Sequence, residues 1–269
     1  MNTSMTWWIR AFLISSAARG LLLGINGLFD YRAISIPLQF TPLNAAFVAG
    51  LYLAGTIGLI LTLFARQRAE ARPFLIGTAV VTTLLLTITG LHWSEFETTL
   101  SPKLIGWVGS YVFDPVAITL IVTTHGLGSA ATPGRHRLTP LFLVEAGLLG
   151  MLGWFLLALP EAAAAVWPWA IPPLLAELYS CFFLAFAVIA LLAALEQRPV
   201  LVRNFTITSL ALMGFILLAS LLYLGRFGGG LSTWLWFGGL ALGIAAFSTA
   251  LVAQIFAPWQ RTSDLAHTH

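Results

Sequence analysis

PLLAELYSCFFLAFAVIALLAAL, Pro173 to Leu195, holds 23 residues and a single charged one, Glu177. An α-helix crosses the hydrocarbon of a bilayer with about 20 apolar residues, so this stretch predicts a transmembrane helix that begins at a proline. Seven further runs have the same character: 9–29, 41–64, 74–93, 104–124, 139–159, 204–224 and 233–256. Charged residues make up 9% of the chain and hydrophobic ones 59%, whereas a soluble domain carries about 25% charge. The expected fold class is an all-α membrane protein with eight transmembrane helices.

The charge distribution sets the expected orientation. With a cytoplasmic N-terminus, the inner segments carry Arg10, Arg66, Arg68, Arg72, Arg135, Arg137, Arg198, Arg203 and Arg261, and the outer loops only Arg32, Lys103 and Arg226. That bias follows the positive-inside rule and places both termini in the cytoplasm of a cell-membrane protein. It also accounts for the basic pI without a nucleic-acid partner; anionic lipid is a sufficient counterpart for the arginines. The first run is interrupted by Arg19 and lacks a small-residue cleavage site, so it reads as a retained helix rather than a signal peptide. Cys181, the single cysteine, lies within a predicted helix and forms no intramolecular disulfide.

The inner segment HGLGSAATPGRHRLT (125–139) falls midway along the chain and prompts a test for repeats. IPLQFTPLNAAFVAGLYLAG from Ile36 aligns with WPWAIPPLLAELYSCFFLAF from Trp167 at a constant offset of 131, which matches Pro37 with Pro168 and Pro42 with Pro173. The same offset sets LHWSEF (91–96) against LYLGRF (222–227), and an offset of 129 pairs Trp107 with Trp236. The expected organisation is a first four-helix repeat (1–128), a cytoplasmic linker (129–138), a second repeat (139–257) and a cytoplasmic tail (258–269). Four crossings per repeat give the two halves parallel orientation, with the symmetry axis along the membrane normal.

Local chemistry supports the helix ends. Pro42 and Pro173 suit the first helical turn, where the missing N–H has no intrahelical partner. Trp93, Trp167, Trp169 and Trp234 are expected as anchors at headgroup depth. Ser16, Gly20 and Gly24 recur every four residues, as do Gly50, Ala54 and Gly58, with Gly239 and Gly243 on the last segment. Small residues at that spacing let membrane helices approach closely.

The chain has no phosphate-binding loop, no HExxH, no CxxC pair and no serine elbow. Its one lysine, Lys103, lies in a loop and so cannot carry a retinal Schiff base. No catalytic residue, metal site or cofactor is assigned. Four ionisable residues do lie inside the predicted spans: Arg19, Asp114, Glu145 and Glu177. Each costs about 2.5–3.5 kcal/mol to insert, so such residues face a partner or a water-filled cavity. Arg19 and Asp114 each lie ten residues from the inner end of their run, roughly 15 Å deep at 1.5 Å per residue. Equal depth predicts a midplane ion pair. Pro115 frees the carbonyl of Tyr111 from its helical partner, which offers the guanidinium another acceptor at a kink or break.

Glu145, near the inner end of its run, is expected to snorkel or to meet a loop arginine. Near the outer surface, His92, Glu95, Glu177, Tyr223 and Arg226 form a candidate polar cluster, as a proton or metal site or as headgroup-level polarity. Thr78, Thr82 and Thr89 share one side of the third run, with Thr83 and Thr87 beside it; such hydroxyls bond their own backbone or line a polar path. Two functional readings stand: transport or permeation of a small solute, ion or lipid, and a non-catalytic subunit or scaffold of a membrane complex or homodimer. An intramembrane enzyme is a third, and it requires a cofactor at the outer cluster.

Overall fold

The computed structural model describes residues 4–32, 34–96, 101–127, 136–196 and 198–256. The expected tail 258–269, and all of the expected linker except 136–138, lie outside the described residues. Each of the eight apolar runs is a helix long enough to cross a membrane: α1 (Trp7–Phe29), α2 (Pro42–Leu63), α3 (Arg68–Leu91), α4 (Pro102–His125), α5 (Thr139–Ala158), α7 (Pro173–Leu195), α8 (Pro199–Leu222) and α9 (Leu231–Phe256). A short helix not anticipated from the sequence, α6 (Pro160–Val166), occupies the α5–α7 connection. Pro160 at its first turn and four consecutive alanines explain it. Among the described residues there is no strand, only an isolated bridge between Ser4 and Gln67.

Helix starts follow capping chemistry. Pro42, Pro102, Pro173 and Pro199 open their helices, and the hydroxyls of Thr41 and Ser101 accept from the backbone N–H groups of Asn44 and Leu104. α3 begins at Arg68, six residues before the apolar run, because Gln67 and Glu70 form a capping box ahead of it. α4 ends at Gly126, whose φ of 66° suits glycine alone without strain.

α2 and α7 form the centre, and most of their residues are buried. α1 packs on α2 and α5 on α7, while α2 also packs on α8 and α7 on α3; α4 and α9 lie outside α3 and α8. The small residues act where predicted on α1 and α2. A Cβ added at Gly24 would lie 2.5 Å from the Leu53 side chain, and one at Gly20 would lie 2.4 Å from the Thr56 hydroxyl. Gly50 meets the backbone of Phe215 on α8. On α9 the stripe is only half used, because Gly243 receives Met213 whereas nothing lies near Gly239.

Cross-chain hydrogen bonds fix the two ends of the bundle. At one end Met5 donates to the Arg66 carbonyl, the Arg68 guanidinium donates to the carbonyls of Ser4 and His125, and Arg198 donates to the Gln67 amide oxygen. Most of the described arginines cluster there. At the other end the Gly228 N–H donates to the Pro168 carbonyl.

The tryptophans divide differently from expectation. Trp93 and Trp234 are exposed, as anchors should be, but Trp169 is 4% exposed and Trp167 is partly buried. Both pack with Phe47, Tyr179 and Trp236 in an aromatic core. Trp169 also has a polar partner on α2. Asn44, itself buried, accepts hydrogen bonds from Trp169 Nε1 at 2.7 Å and Tyr179 Oη at 3.1 Å.

Candidate functional site

The buried face of α4 carries Leu104, Trp107, Tyr111, Asp114, Ile118 and Ile121, at the three- and four-residue spacing of one helical side. Its three polar members each reach a different helix. Trp107 Nε1 donates to Thr89 on α3 at 3.0 Å, Tyr111 shares a hydroxyl–hydroxyl hydrogen bond with Tyr52 on α2, and Asp114 pairs with Arg19 on α1. Depth matching thus found the one ion pair it was used for. The other guanidinium donors go to the hydroxyls of Ser15 at 2.8 Å and Ser16 at 3.1 Å, not to the Tyr111 carbonyl. Arg19 also sits 5.7 Å over the Phe113 ring. α4 continues through Pro115 as one helix, so the pair does not stand at a helix break.

Beside this face lies a cavity of about 290 Å³, bounded by α1, α2, α3, α4 and α7. Its deep end is formed by Arg19, Asp114, Thr56, Phe74 and Gly77. Its other end reaches Ser35, Pro102 and Lys103. Leu22 and Gly106 line it and are also exposed, so it opens sideways between α1 and the first turns of α4. Space is left by small residues, since no atom lies within 4 Å of a Cβ added at Gly55 or Gly106. Thr78 and Thr82 line the wall, and their hydroxyls donate to the Phe74 and Thr78 carbonyls. Thr89 likewise donates to Leu85 and Thr87 to Thr83. The donor hydrogens of these threonines are therefore committed to their own helix, and their oxygens can only accept.

The outer cluster is smaller than its five expected members. His92 Nε2 lies 2.8 Å from Glu177 Oε2, and Nδ1 lies 3.2 Å from Glu95 Oε1, which ties the end of α3 to the start of α7. Only an imidazolium donates from both nitrogens. Burial would lower the His92 pKa, but the hydrogen bond to Glu95 and the Glu177 carboxylate outweigh it and raise the pKa above its ordinary value. Tyr223 and Arg226 lie at the end of α8, and among the described residues no hydrogen bond or ion pair joins them to this triad. Among the described residues, no group of three or more His, Cys, Asp or Glu side chains is placed to hold a metal ion.

Glu145 corrects another expectation. Rather than snorkelling, it is buried, accepts from Ser209 on α8 at 3.0 Å, and its second oxygen has no partner among the described residues. Its distance from the helix end could not tell which face of α5 it occupies. His136 was not singled out, yet it fixes the start of α5 to the end of α7. Nε2 donates to the Ala193 carbonyl at 3.1 Å and Nδ1 accepts from the Leu138 N–H at 3.2 Å. Burial lowers its pKa, in agreement with a neutral ring.

The eight apolar helices and their packing define a multi-pass helical membrane protein. No protein-family model, curated protein or solved structure matches the chain, so its activity has to be argued from the site itself.

Proposed function

We propose that the chain is a duplicated membrane bundle that binds a small molecule between α1 and α4 and passes it across or out of the bilayer. The cavity beside Arg19 and Asp114 carries this reading. Ligand sites favour such concave, mostly apolar spaces with a few placed polar groups. A neutralised ion pair in hydrocarbon marks functional more often than architectural positions, and replacing such pairs by apolar residues is often neutral for stability. The arginine-rich end is taken as cytoplasmic, so the cavity opens in the outer leaflet.

The two halves, 1–128 and 139–257, are supported by positions related through the 131-residue offset. α3 and α8 start and end at corresponding residues, and so do the 3₁₀ turns Trp93–Glu95 and Leu224–Arg226. Trp107 donates to Thr89, and Trp236 donates to Ser220. A Cβ at Gly58 would lie 3.1 Å from the Thr208 hydroxyl, and one at Gly77, the counterpart of Thr208, would lie 2.4 Å from Ile189, the counterpart of Gly58. Gln67 and Arg198, themselves counterparts, touch each other, as residues beside a two-fold axis do. Helices pair in the same pattern: α1 with α2 as α5 with α7, and α2 with α8 as α7 with α3.

The scaffold reading rests on α9, which packs on α8 and leaves Gly238 and Gly239 in open space. A filled cavity separates the two. Protein purified from membranes in mild detergent should retain a small molecule by native mass spectrometry, and Gly55→Phe should lose it. Retention of nothing by either protein, with no solute flux in proteoliposomes, would leave the scaffold.

A further inference from the structure

The polar groups around the cavity are consumed by one another. Arg19 is held by Asp114, Ser15 and Ser16; Tyr52 by Tyr111; Trp107 by Thr89; Thr78 and Thr82 by their own helix. A hydrated ion or a sugar entering here would exchange its water for hydrocarbon, with little to replace the lost hydrogen bonds. The remaining walls are Leu22, Leu23, Leu51, Val81, Leu85 and Phe182. One buried group is left over: the Thr56 hydroxyl, 2% exposed, lines the deep end and has no partner among the described residues.

The mouth is different. Ser35, Lys103 and Ser110 line it, and among the described residues no carboxylate pairs with Lys103. Lys103 stands in the first turn of α4, where the helix dipole adds to its charge. The opening between the exposed residues Leu22 and Gly106 lies on the flank of the bundle, the side that a membrane-spanning helix turns to lipid. The volume of about 290 Å³ leaves room for a short alkyl chain or for part of a longer one whose remainder passes through the opening.

Resting on the reading of the cavity as the binding site, we propose that its ligand is a single-chain amphiphile with an anionic head. Its chain lies along Leu23, Leu51, Val81 and Phe182, and its carboxylate or phosphate lies at Lys103. The proposal narrows the choice among solute, ion and lipid to lipid, by the bonding state of each polar group.

The test measures displacement of radiolabelled palmitate from the full-length protein in nanodiscs of zwitterionic lipid. The competitors are palmitate, palmitoyl-lysophosphatidylglycerol and palmitoyl-lysophosphatidylcholine. Both anionic ligands should compete better than the choline lipid, and their ranking separates a carboxylate head from a phosphate one. Gly55→Phe, and on the rim Gly106→Leu, should each weaken palmitate at least tenfold. Gly106→Leu, placed where a side chain meets open space, covers the case in which Gly55→Phe does not fold. Lys103→Gln should reduce the anionic preference about fivefold, the factor that one basic residue contributes near a lipid surface. Unchanged palmitate binding by both cavity variants would overturn the assignment of the chain, and an unchanged preference in Lys103→Gln that of the head. If palmitate fails to bind while Gly55→Phe still loses the molecule retained from membranes, the amphiphile is wrong and the binding site stands.

Discussion

Replacing Arg19 or Asp114 separately should do more harm than replacing both. Asp114 has a side chain 6% exposed and Arg19 one 29% exposed, and the two are joined directly. Arg19→Leu strands a carboxylate in the bundle. That carboxylate can escape by taking up a proton, which at pH 7 costs about 4 kcal/mol for a group of ordinary pKa near 3.9. This figure caps the penalty. Asp114→Leu strands a guanidinium that cannot deprotonate, but it keeps Ser15 and Ser16 and borders the cavity, where water can reach it. Stranded partners of buried pairs typically cost about 3–5 kcal/mol; the buried carboxylate should lie within that range and the half-exposed arginine below it. The double replacement leaves no orphan charge and should lose less than either single one, giving a coupling of about 2 kcal/mol or more in a double-mutant cycle. Melting of the purified proteins, followed by fluorescence-detected size exclusion, provides the ranking. A double variant as unstable as the two single losses summed would show that the pair carries no coupling energy. A stable double variant that no longer retains the bound molecule would assign the pair to the site rather than to the scaffold.

Two further outcomes test orientation and the histidine contacts. In a Cys181→Ala background, single cysteines at Glu161 and Gly229 should react with an impermeant maleimide added to intact cells, and one at Gln67 should not; the reverse pattern would invert the bundle. The two histidines should impose opposite pH dependences. His92 has a raised folded pKa, so its contribution is complete below the ordinary 6.5 and is lost as pH rises through the folded value. His136 has a lowered one, so its contribution is present above 6.5 and is lost as pH falls through the folded value. His92→Gln should flatten the alkaline side of the melting profile and His136→Gln the acidic side, and a variant that leaves its own side unchanged would dismiss that contact.

The helices were legible because hydrocarbon length is a one-dimensional constraint that any run of about 20 apolar residues reports. Arg19 and Asp114 were legible for a related reason: depth along a helix is a count of residues, and few buried charges compete. What failed needed azimuth, the direction a side chain faces around its helix. Glu145 has an unambiguous depth, yet only the packing of α5 beside α8 sends it to Ser209 rather than to a headgroup. The apolar composition all round each helix gives little amphipathic signal to supply that direction. Asn44 was overlooked because a lone amide in an apolar run has no periodic partner, although it is what buries Trp169 and Tyr179. The cavity was invisible for the same reason, since its lining is drawn from five helices, with Gly55 on α2 and Gly106 on α4 each leaving space.

The proposed duplication also explains why an opening in one half need not recur in the other. Under the offsets that align the halves, Thr82 corresponds to Met213, Tyr52 to Phe183, and Asp114 to Gly243. The Met213 side chain lies where a Cβ on Gly243 would be, 2.3 Å from its sulfur. A flexible thioether thus fills the space between α8 and α9, whereas the first half keeps a short threonine bonded to its own helix and an aspartate drawn toward α1. Where α1 offers Arg19 to α4, the one charged residue of α5, Glu145, turns to Ser209 on α8, and among the described residues no ion pair joins α5 and α9. Polar pairing in the first half holds α4 by three separate hydrogen-bonded contacts with a cavity beside them. In the second half Met213 takes up the space beside Gly243. Exchanging the determinant, with Thr82→Met in the first half, should therefore shrink the cavity and weaken ligand retention while removing only a hydroxyl bonded to its own helix. That is the result which distinguishes a site shaped by volume from one shaped by charge.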